Sequence, residues 1–345
     1  MQAGDLRAVL LTFAVAALLV VGATAGVGFA TDTADGPAST QPDAPAFESA
    51  DLLATPVDDD GSVSVPEATT SKTVVVDVSH GNAISRAQME PLVNALVEAG
   101  HEVRFFAGSG SSSFGLSSGD GTSPFTETLQ DADALIVANP ATTYTADESD
   151  AVESFADAGG RVLLLADTPS QATATSSLLG LTGGSAGSAS GQPNDVASRF
   201  DVTFNAGYLY DMQENANNFQ YVYGAASGDS EFAADADRTV FEAAVPVVSG
   251  DQADSAIAAE DVSYSSTREN GTYSVAVRSG SVVAIGDTWF LSPDGATVAD
   301  NEALVSEVAS FLVSGTKTAG APQGDASSTA TPTSGMTFQS GSTSA

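Results

Sequence analysis

The sequence has 345 residues, of which 44 are Asp or Glu and only 10 are Lys or Arg, so its formal net charge is −34. This charge opposes compaction in dilute buffer but is screened at molar salt, where the Debye length falls to about 3 Å, and it predicts a haloarchaeal protein. It argues against nucleic acid as a partner, because phosphate binding needs clustered Lys and Arg. Cysteine is absent, which excludes disulfides, thiolate nucleophiles and Cys-ligated metals.

The N-terminal region contains an uncharged run from Ala8 to Ala30, which is long enough to cross a bilayer because about 20 residues suffice. A signal-peptide core is shorter, but small residues before Thr31 offer a cleavage site, so a secreted protein is the alternative. Arg7, the only flanking positive charge, predicts that the N-terminus lies inside. We therefore expect residues 1–30 to form a single membrane pass, with the following domain outside the cell.

Shifts in composition divide the rest of the chain. Residues 31–71 are rich in Ala, Asp, Pro, Ser and Thr without a sustained period, which predicts a disordered acidic linker. Residues 316–345 contain mainly Ser, Thr, Gly and Ala, which predicts a disordered tail. Residues 72–315 are enough for one large domain with a sizeable core.

The first half of that domain alternates strand and helix patterns. Four apolar runs predict buried strands: TVVVDV, HEVRFF, ALIVAN and RVLLLAD. Three helix starts between them are marked by capping boxes or a proline: Ser85 with Gln88, Pro124, and Thr145 with Glu148. Alternation of this kind predicts βαβ units and a parallel sheet.

The second half is less regular. After about Ser170 the pattern loosens into short strand-like pieces and Gly/Ser loops as far as Tyr264. The stretch TYSVAVRSGSVVAIGD then predicts a hairpin, and DNEALVSEVASFL predicts a closing amphipathic helix. The motif NGT at Asn270 is an acceptor for N-glycosylation in a predicted turn. The whole pattern predicts an α/β domain with a mostly parallel sheet flanked by helices.

Polar side chains follow the ends of the predicted strands. In a doubly wound sheet these ends lie side by side, and ligands bind in the crevice outside them. We therefore expect a ligand-binding crevice formed by Asp77, His80, Asn82, Asn139, Asp167, Asp287 and Trp289.

His80 is one of only two histidines, and two interpretations of it stay open. It is either a general base or metal ligand supported by Asp77, Asp167 or Asp287, or a loop residue satisfied by a neighbouring carboxylate. Strand ends need polar groups to satisfy exposed backbone in any such fold, which favours the second interpretation. We expect no metal, because no loop has EF-hand spacing for Mg²⁺ or Ca²⁺, and no cofactor, because phosphate-binding motifs are missing.

Residues 204–224, FNAGYLYDMQENANNFQYVYG, contain four of the seven tyrosines together with several asparagines. Aromatic rings beside amides suit sugars or peptides, so Tyr208 and Tyr210 are predicted to bind a ligand. The alternative is an irregular pair of strands whose tyrosines pack and whose asparagines shape turns. The sequence favours neither.

Five stretches together resemble a known family: VVVDVSHGN, DADALIVANP, GGRVLLLADTPS, NDVASRFDVTFNAGYLYDMQENANNF and AIGDTWFLSPDGATVADNEALVSEVASFL. From about Lys72 to Val313 the chain resembles a haloarchaeal family with a class I glutamine amidotransferase-like domain of unknown function. That family is similar to auxiliary proteins of gliding motility and ABC transport and to an intraflagellar-transport subunit family. The resemblance implies a flavodoxin-like sheet and no established activity.

Active class I amidotransferases use a Cys nucleophile on a strand-to-helix elbow, so this chain lacks that chemistry unless another nucleophile replaces the Cys. Two stretches match G-x-S-x-G, at Gly115 to Gly119 and at Gly183 to Gly187. Neither follows a predicted strand, as a nucleophile elbow would. The sequence therefore does not predict a serine elbow either.

The expectation from all these features is a non-catalytic binding or assembly module outside the cell, tethered to the membrane and associated with a transport or envelope system or a small ligand. One alternative is a hydrolase that acts on surface carbohydrate or peptide through Asp77, His80 and Asp287. The other is a structural spacer of the cell envelope.

Overall fold

The computed structural model describes residues 56–108, 123–168 and 191–323, except positions 229, 231 and 235. The predicted membrane pass at residues 1–30 and both G-x-S-x-G stretches lie outside these described residues. Within them, every helix is too short or too polar to cross a membrane.

The helices and strands have these bounds: β1 (Thr73–Asp77), α1 (Glu90–Glu98), β2 (Glu102–Phe106), α2 (Pro124–Asp131), β3 (Ala134–Ala138), α3 (Ala146–Asp157), β4 (Arg161–Leu165), α4 (Asn194–Ala197), β5 (Val202–Phe204), β6 (Leu209–Tyr210), β7 (Tyr221–Ala226), β8 (Thr239–Glu242), β9 (Val247–Ser249), β10 (Asp254–Tyr264), β11 (Asn270–Ser279), β12 (Val282–Ile285) and α5 (Asn301–Val313). Short 3₁₀ helices occupy Ser198–Phe200 and Trp289–Leu291.

The main sheet is mixed and has 10 strands in the order β2-β1-β3-β4-β12-β11-β10-β7-β8, with β6 beside β10. The strands from β2 to β12 in this order pair in parallel. The remaining pairs, from β12 to β8, are antiparallel. The predicted βαβ alternation of the first half and the predicted hairpin of the second half are thus confirmed. Together they form a mixed α/β fold with parallel central strands.

Helices cover both faces of the parallel strands. Val74 and Val76 of β1 face the core that includes residues of α1 and α5, whereas Val75 faces the core that includes residues of α2 and α3. Successive side chains of a strand point to opposite faces, so a strand covered on both sides needs a continuous apolar run. This is why TVVVD and ALIVA read as uninterrupted apolar stretches.

Two elements differ from the sequence prediction. Ser85 Oγ donates to Gln88 Oε1 at 2.8 Å, yet α1 begins only at Glu90, because Pro91 favours the first helical turn. β10 spans 11 residues, where only short pieces were predicted. Its Ala, Ser and acidic residues have low strand propensity, so pairing with β11 decides its length.

Described residues beyond both predicted domain ends contact the domain. Val63 and Val65, in the predicted linker, pack against the core that includes α1 and α5. Lys317, in the predicted tail, donates to the carbonyl oxygen of Leu129 at 3.0 Å. The packed chain therefore extends past both 72 and 315.

Candidate functional site

The carboxyl ends of four parallel strands lie side by side at one edge of the sheet: β1, β3, β4 and β12. Strand order reverses beside β1, because β2 lies on one side of it and β3 on the other, and such switch points are where doubly wound sheets bind ligands. The polar side chains at this edge form two clusters. The His80 cluster consists of Asp77, Ser79, His80, Tyr144 and Glu148, and the Asp167 cluster consists of Asn139, Asp167, Asp287 and Thr288.

Asp77 is fully buried, and both of its carboxylate oxygens are occupied. Ser79 donates to Oδ1 from its backbone N–H at 2.9 Å and from its hydroxyl at 2.6 Å. His80 Nδ1 lies 2.7 Å from Oδ2, and the hydroxyl of Tyr144 donates to the same oxygen. Burial raises the pKa of Asp77, but the hydrogen bonds from His80, Ser79 and Tyr144 outweigh it, so this pKa ends below its usual value.

The ring of His80 lies between two carboxylates and is only 8% exposed. Its Nδ1 faces Asp77, and its Nε2 lies 3.5 Å from Glu148 Oε2. It stacks on Tyr144 with 3.7 Å between ring centroids and meets Phe125 edge to face at 5.9 Å. Burial lowers the pKa of His80, but Asp77 and Glu148 outweigh burial and raise this pKa. An imidazolium facing two carboxylates has no free lone pair with which to act as a general base.

Asp77, Ser79 and His80 are the residue types of a serine-hydrolase triad, but their geometry differs from one. In a triad the Ser and the Asp contact opposite ring nitrogens of the His. Here the hydroxyl of Ser79 lies 3.2 Å from Nδ1 of His80, the nitrogen that also faces Asp77. His80 therefore cannot take a proton from Ser79 in the way a triad requires.

Asn82 ties the loop after β1 to β3. Its Oδ1 accepts from the backbone N–H of His80 at 3.2 Å, and its Nδ2 donates to the carbonyl oxygen of Ala138 at 3.0 Å. The backbone N–H groups of Ala141 and Thr142 both donate to the carbonyl oxygen of His80. The loop that carries His80 is thus bonded along its length to the segment after β3.

The Asp167 cluster joins the ends of β3, β4 and β12. The backbone N–H of Asp167 donates to Asn139 Oδ1 at 2.6 Å, and Asn139 Nδ2 donates back to Asp167 Oδ2. Thr288 donates to the carboxylate of Asp167 from its N–H at 2.8 Å and from its hydroxyl at 2.5 Å. Asn139 has a φ of 46°, in the left-handed region, which Asn adopts more readily than most residues.

Asp287 is 1% exposed and bonds to backbone N–H groups of the 3₁₀ helix Trp289–Leu291 that follows Thr288. It accepts hydrogen bonds from the backbone N–H groups of Trp289 at 3.0 Å, Phe290 at 3.4 Å and Glu242 at 3.3 Å. Burial raises the pKa of Asp287 well above its usual value, and the charge of Asp167 adds to this effect, although the backbone donors oppose it. Asp287 thus belongs with Asp167 and is not brought to His80.

Residues 204–224 lie beside the ends of β4 and β12. The hydroxyl of Thr168, just after β4, donates to the carbonyl oxygen of Gly207 at 3.2 Å. Trp289, after β12, meets Tyr221 edge to face with 5.0 Å between ring centroids. The fold thus brings the tyrosine-rich segment next to the strand ends, a proximity that was not predicted from the sequence.

Three aromatic side chains of this segment form what we call the aromatic surface: Tyr208, Tyr210 and Phe219. Ring centroids are 6.2 Å apart for Tyr208 and Tyr210 and 6.4 Å apart for Tyr210 and Phe219. Met212 is 71% exposed and Phe219 is 41% exposed. Large apolar side chains that stay in water as a group are typical of interaction sites.

Sequence reasoning missed Ser79, Tyr144, Glu148 and Thr288 as members of this edge. The capping box of Thr145 and Glu148 is present, as predicted, and it was the available signal, since it begins α3 close to the end of β3. Tyr144 carried no local signal, because its partner Asp77 is 67 residues away in sequence.

Two other expectations concern modification and metal. Asn270 is exposed at the start of β11, within a strand and not in a turn, and its Nδ2 donates to the carbonyl oxygen of Asp261 at 2.7 Å. In the described part of the chain, no group of three or more His, Asp or Glu side chains is arranged to hold a metal ion.

Comparison with solved structures finds matches at low sequence identity. The mmIFT52 N-terminal domain is 10% identical, with 69% of this chain and 96% of that chain covered and a TM-score of 0.51. The cytoplasmic protein STM3548 from Salmonella typhimurium is 11% identical, with 70% of this chain and 98% of that chain covered and a TM-score of 0.40. At such identities the first of these shows a shared fold alone.

Comparison with protein families is more specific. No curated protein matches the chain. The family described as a domain of unknown function, DUF4350, matches residues 112–309, which are more than half of the chain. The chain therefore belongs to the DUF4350 family.

Proposed function

We propose that the chain is a non-catalytic binding or assembly module. The observation that carries this proposal is that the polar side chains at the strand ends are occupied by one another or by backbone groups. Asp77 accepts four hydrogen bonds, and both ring nitrogens of His80 face carboxylates. Asp287 accepts from three backbone N–H groups. Nucleophiles and general bases need a free lone pair within reach of the substrate, which supports binding over hydrolysis.

We infer further that the domain is flavodoxin-like and of the class I glutamine amidotransferase-like kind. The parallel strands follow the order β2-β1-β3-β4-β12, which is the flavodoxin-like order 2-1-3-4-5 when β12 is counted as the fifth. The absence of cysteine then means that such a scaffold lacks the amidotransferase nucleophile. What the scaffold retains is a switch point at which ligands bind in related folds.

The aromatic surface beside this edge is the part that we propose contacts the ligand, a surface carbohydrate or an extended peptide. Phe219 is exposed, and Tyr208 and Tyr210 are half-buried, with the ring of Tyr210 6.4 Å from that of Phe219. Met212 is exposed in the same segment. Aromatic rings offer large contact area at low conformational cost, and tyrosine adds a hydroxyl for hydrogen bonding. Trp289 and Tyr221 form a second aromatic pair near the end of β12.

The test uses Trp289, the only tryptophan of the chain, as a fluorescent reporter. The purified full-length chain is titrated in molar KCl with defined oligosaccharides and with extended peptides. A saturable change without any product supports the proposal, and Tyr210→Ala should weaken it. Val97→Ala, which shortens an exposed apolar side chain on α1, is the matched control and should leave binding unchanged.

Two outcomes would overturn this proposal. Release of ammonia from glutamine, or cleavage of any oligosaccharide or peptide, would favour an enzyme. The hydrolase alternative would then require loss of activity in Asp77→Asn. If no probe gave a saturable change, the structural-spacer alternative would replace the binding module.

We also propose that residues 8–30 tether the chain to a haloarchaeal cell membrane with the domain outside, where it serves a transport or envelope system. The uncharged run, Arg7 and the charge of −34 support this. Protease added to intact cells should then degrade the domain. Full protection would indicate a cytoplasmic domain, and recovery from the medium would indicate the secreted alternative.

A further inference from the structure

We propose that protonated His80 is a pH-sensitive latch that holds the segment 139–148 against the loop after β1, and that the latch opens when His80 loses its proton. This is a property of the fold and holds whether or not the strand ends bind a ligand. It rests on the position of one ring between two carboxylates contributed by different parts of the chain.

Three elements meet at the imidazole ring. The end of β1 contributes Asp77, whose Oδ2 lies 2.7 Å from Nδ1. The start of α3 contributes Glu148, 3.5 Å from Nε2, and the segment before it contributes Tyr144, stacked at 3.7 Å. α2 contributes the uncharged ring of Phe125. Segment 139–148 also contacts α4, where the carboxylate of Asp195 accepts a hydrogen bond from the backbone N–H of Tyr144.

The order of events on deprotonation follows from which nitrogen can lose its hydrogen. The Nδ1 hydrogen stays, because removing it would deprive the buried carboxylate of Asp77 of a donor. Nε2 would then present a lone pair to the carboxylate of Glu148, and two acceptors repel one another. The contact of His80 with Glu148 therefore opens first, while Asp77 keeps all of its donors, including Nδ1 of His80.

The direction of the pH dependence follows from the sign of the shift. Asp77 and Glu148 raise the pKa of His80 in the folded chain, although burial opposes them. The stabilisation is therefore fully present below the unfolded value of about 6.5 and is lost as pH rises through the folded value. The pKa of Glu148 is lowered in spite of burial, by hydrogen bonds from Thr145 and by the charge of His80, so this carboxylate stays charged over that range. The latch is closed below the unfolded value of about 6.5 and opens as pH rises through the raised pKa of His80 in the folded chain.

The first measurement is an NMR titration, which is simple because the chain has only two histidines. His101 is the internal reference: it is buried, its Nδ1 accepts from the backbone N–H of Lys72 at 3.1 Å, and burial lowers its pKa. His80 should titrate at higher pH than His101. A His80 that titrated with or below His101 would overturn the proposal.

The second measurement is hydrogen exchange of the full-length chain across the same pH range, expressed as protection factors. Protection of amides in segment 139–148 should fall as His80 titrates, by up to about tenfold for each unit by which its pKa is raised. Amides of β4 should not change. Protection of the segment that stayed constant through the titration of His80 would also overturn the proposal.

Glu148→Gln tests the second carboxylate without removing the helix cap, because Gln also serves in a capping box. This variant should lower the pKa of His80, and protection of segment 139–148 should then be lost at a lower pH. Asp147→Asn, the same change of charge at the exposed neighbouring position, should leave both where they are in the unaltered chain. If the two variants behaved alike, the contact between His80 and Glu148 would not be a latch.

Discussion

The ammonium group of Lys317 donates a hydrogen bond to the carbonyl oxygen of Gln130, 2.7 Å away, at the C-terminal end of α2. The same ammonium donates to the carbonyl oxygens of Leu129 at 3.0 Å and Ala321 at 2.7 Å. The last carbonyls of a helix have no partner within the helix, and a cation there also interacts favourably with the helix dipole. One of the few cations of a very acidic chain is thus used to bind a segment beyond the predicted domain.

Replacing this cation should cost stability. Lys317→Met keeps much of the side-chain volume but removes the ammonium donor from the carbonyl oxygens of Gln130 and Ala321, whereas that of Leu129 still accepts from the N–H of Ala132. We therefore expect a loss of about 1.5 to 3 kcal/mol in the free energy of unfolding. Chemical denaturation at molar salt measures it. Lys72→Met is the control: its ion pair with Asp133, at 3.2 Å, is partly exposed and should contribute at most about 1 kcal/mol. Equal losses in the two variants would contradict the capping role.

Tyr144→Phe should make the fold more sensitive to acid. The pKa of Asp77 is lowered in the folded chain, so its stabilisation is present above the unfolded value of 3.8 and is lost as pH falls through the folded value. Loss of the Tyr144 hydroxyl removes one donor and raises that folded pKa. The midpoint of acid unfolding, followed by circular dichroism, should therefore shift to higher pH. Tyr210→Phe, which removes a hydroxyl outside the His80 cluster, should not shift the midpoint.

Two substitutions of Asn139 separate the contribution of its side-chain hydrogen bonds to stability from the cost of its left-handed backbone conformation. Asn139→Gly loses the hydrogen bonds with Asp167 but tolerates the φ of 46°. Asn139→Ala loses the same bonds and adds the cost of a left-handed backbone, roughly 1 kcal/mol or more. We expect both variants to be destabilised, with Ala the worse, in urea denaturation at molar salt. A more stable Ala variant would show that the left-handed conformation is not retained.

Asp287→Ala should destabilise the chain because it removes the acceptor of three backbone N–H groups, of which that of Phe290 is buried and the other two are partly buried, at a cost of about 1 to 3 kcal/mol. Asp58→Ala is the neutral control, since the Asp58 contact uses its backbone carbonyl, which accepts from Ala299. Melting curves of both variants in the same buffer measure the difference. If Asp287→Ala had the same melting temperature as the parent chain, the hydrogen bonds that Asp287 accepts would not contribute to stability.

The stability of the whole chain should require salt. The chain has a formal charge of −34. Dilution from molar to millimolar salt increases the Debye length, so that the surface carboxylates repel one another more strongly. The melting temperature should fall as KCl is removed at constant pH. Replacing the lost KCl with an uncharged osmolyte should not restore it, and a melting temperature that held constant would contradict the argument.

How far the candidate site could be predicted depended on how local its signals are. Asp77, Asn139 and Asp167 were predicted from the chain alone, because each directly follows an apolar run and parallel strands align their carboxyl ends. Ser79, Tyr144 and Thr288, which donate to these two carboxylates, were not predicted. Whether Asp287 belonged with His80 or with Asp167 depended on the separation of strand ends across the sheet, about which the sequence carries no signal.

The sequence by itself determined the parallel half of the sheet and its helices. Continuous apolar runs, capping boxes and helix-ending glycines act over a few residues, so they are visible without tertiary contacts. The tertiary structure alone decided the length of β10, the packing of Val63 and Val65 outside the predicted domain, and the enclosure of His80 by Tyr144 and Glu148. These features depend on contacts between residues distant in the chain, where a residue with weak local preference takes the conformation that its partners stabilise.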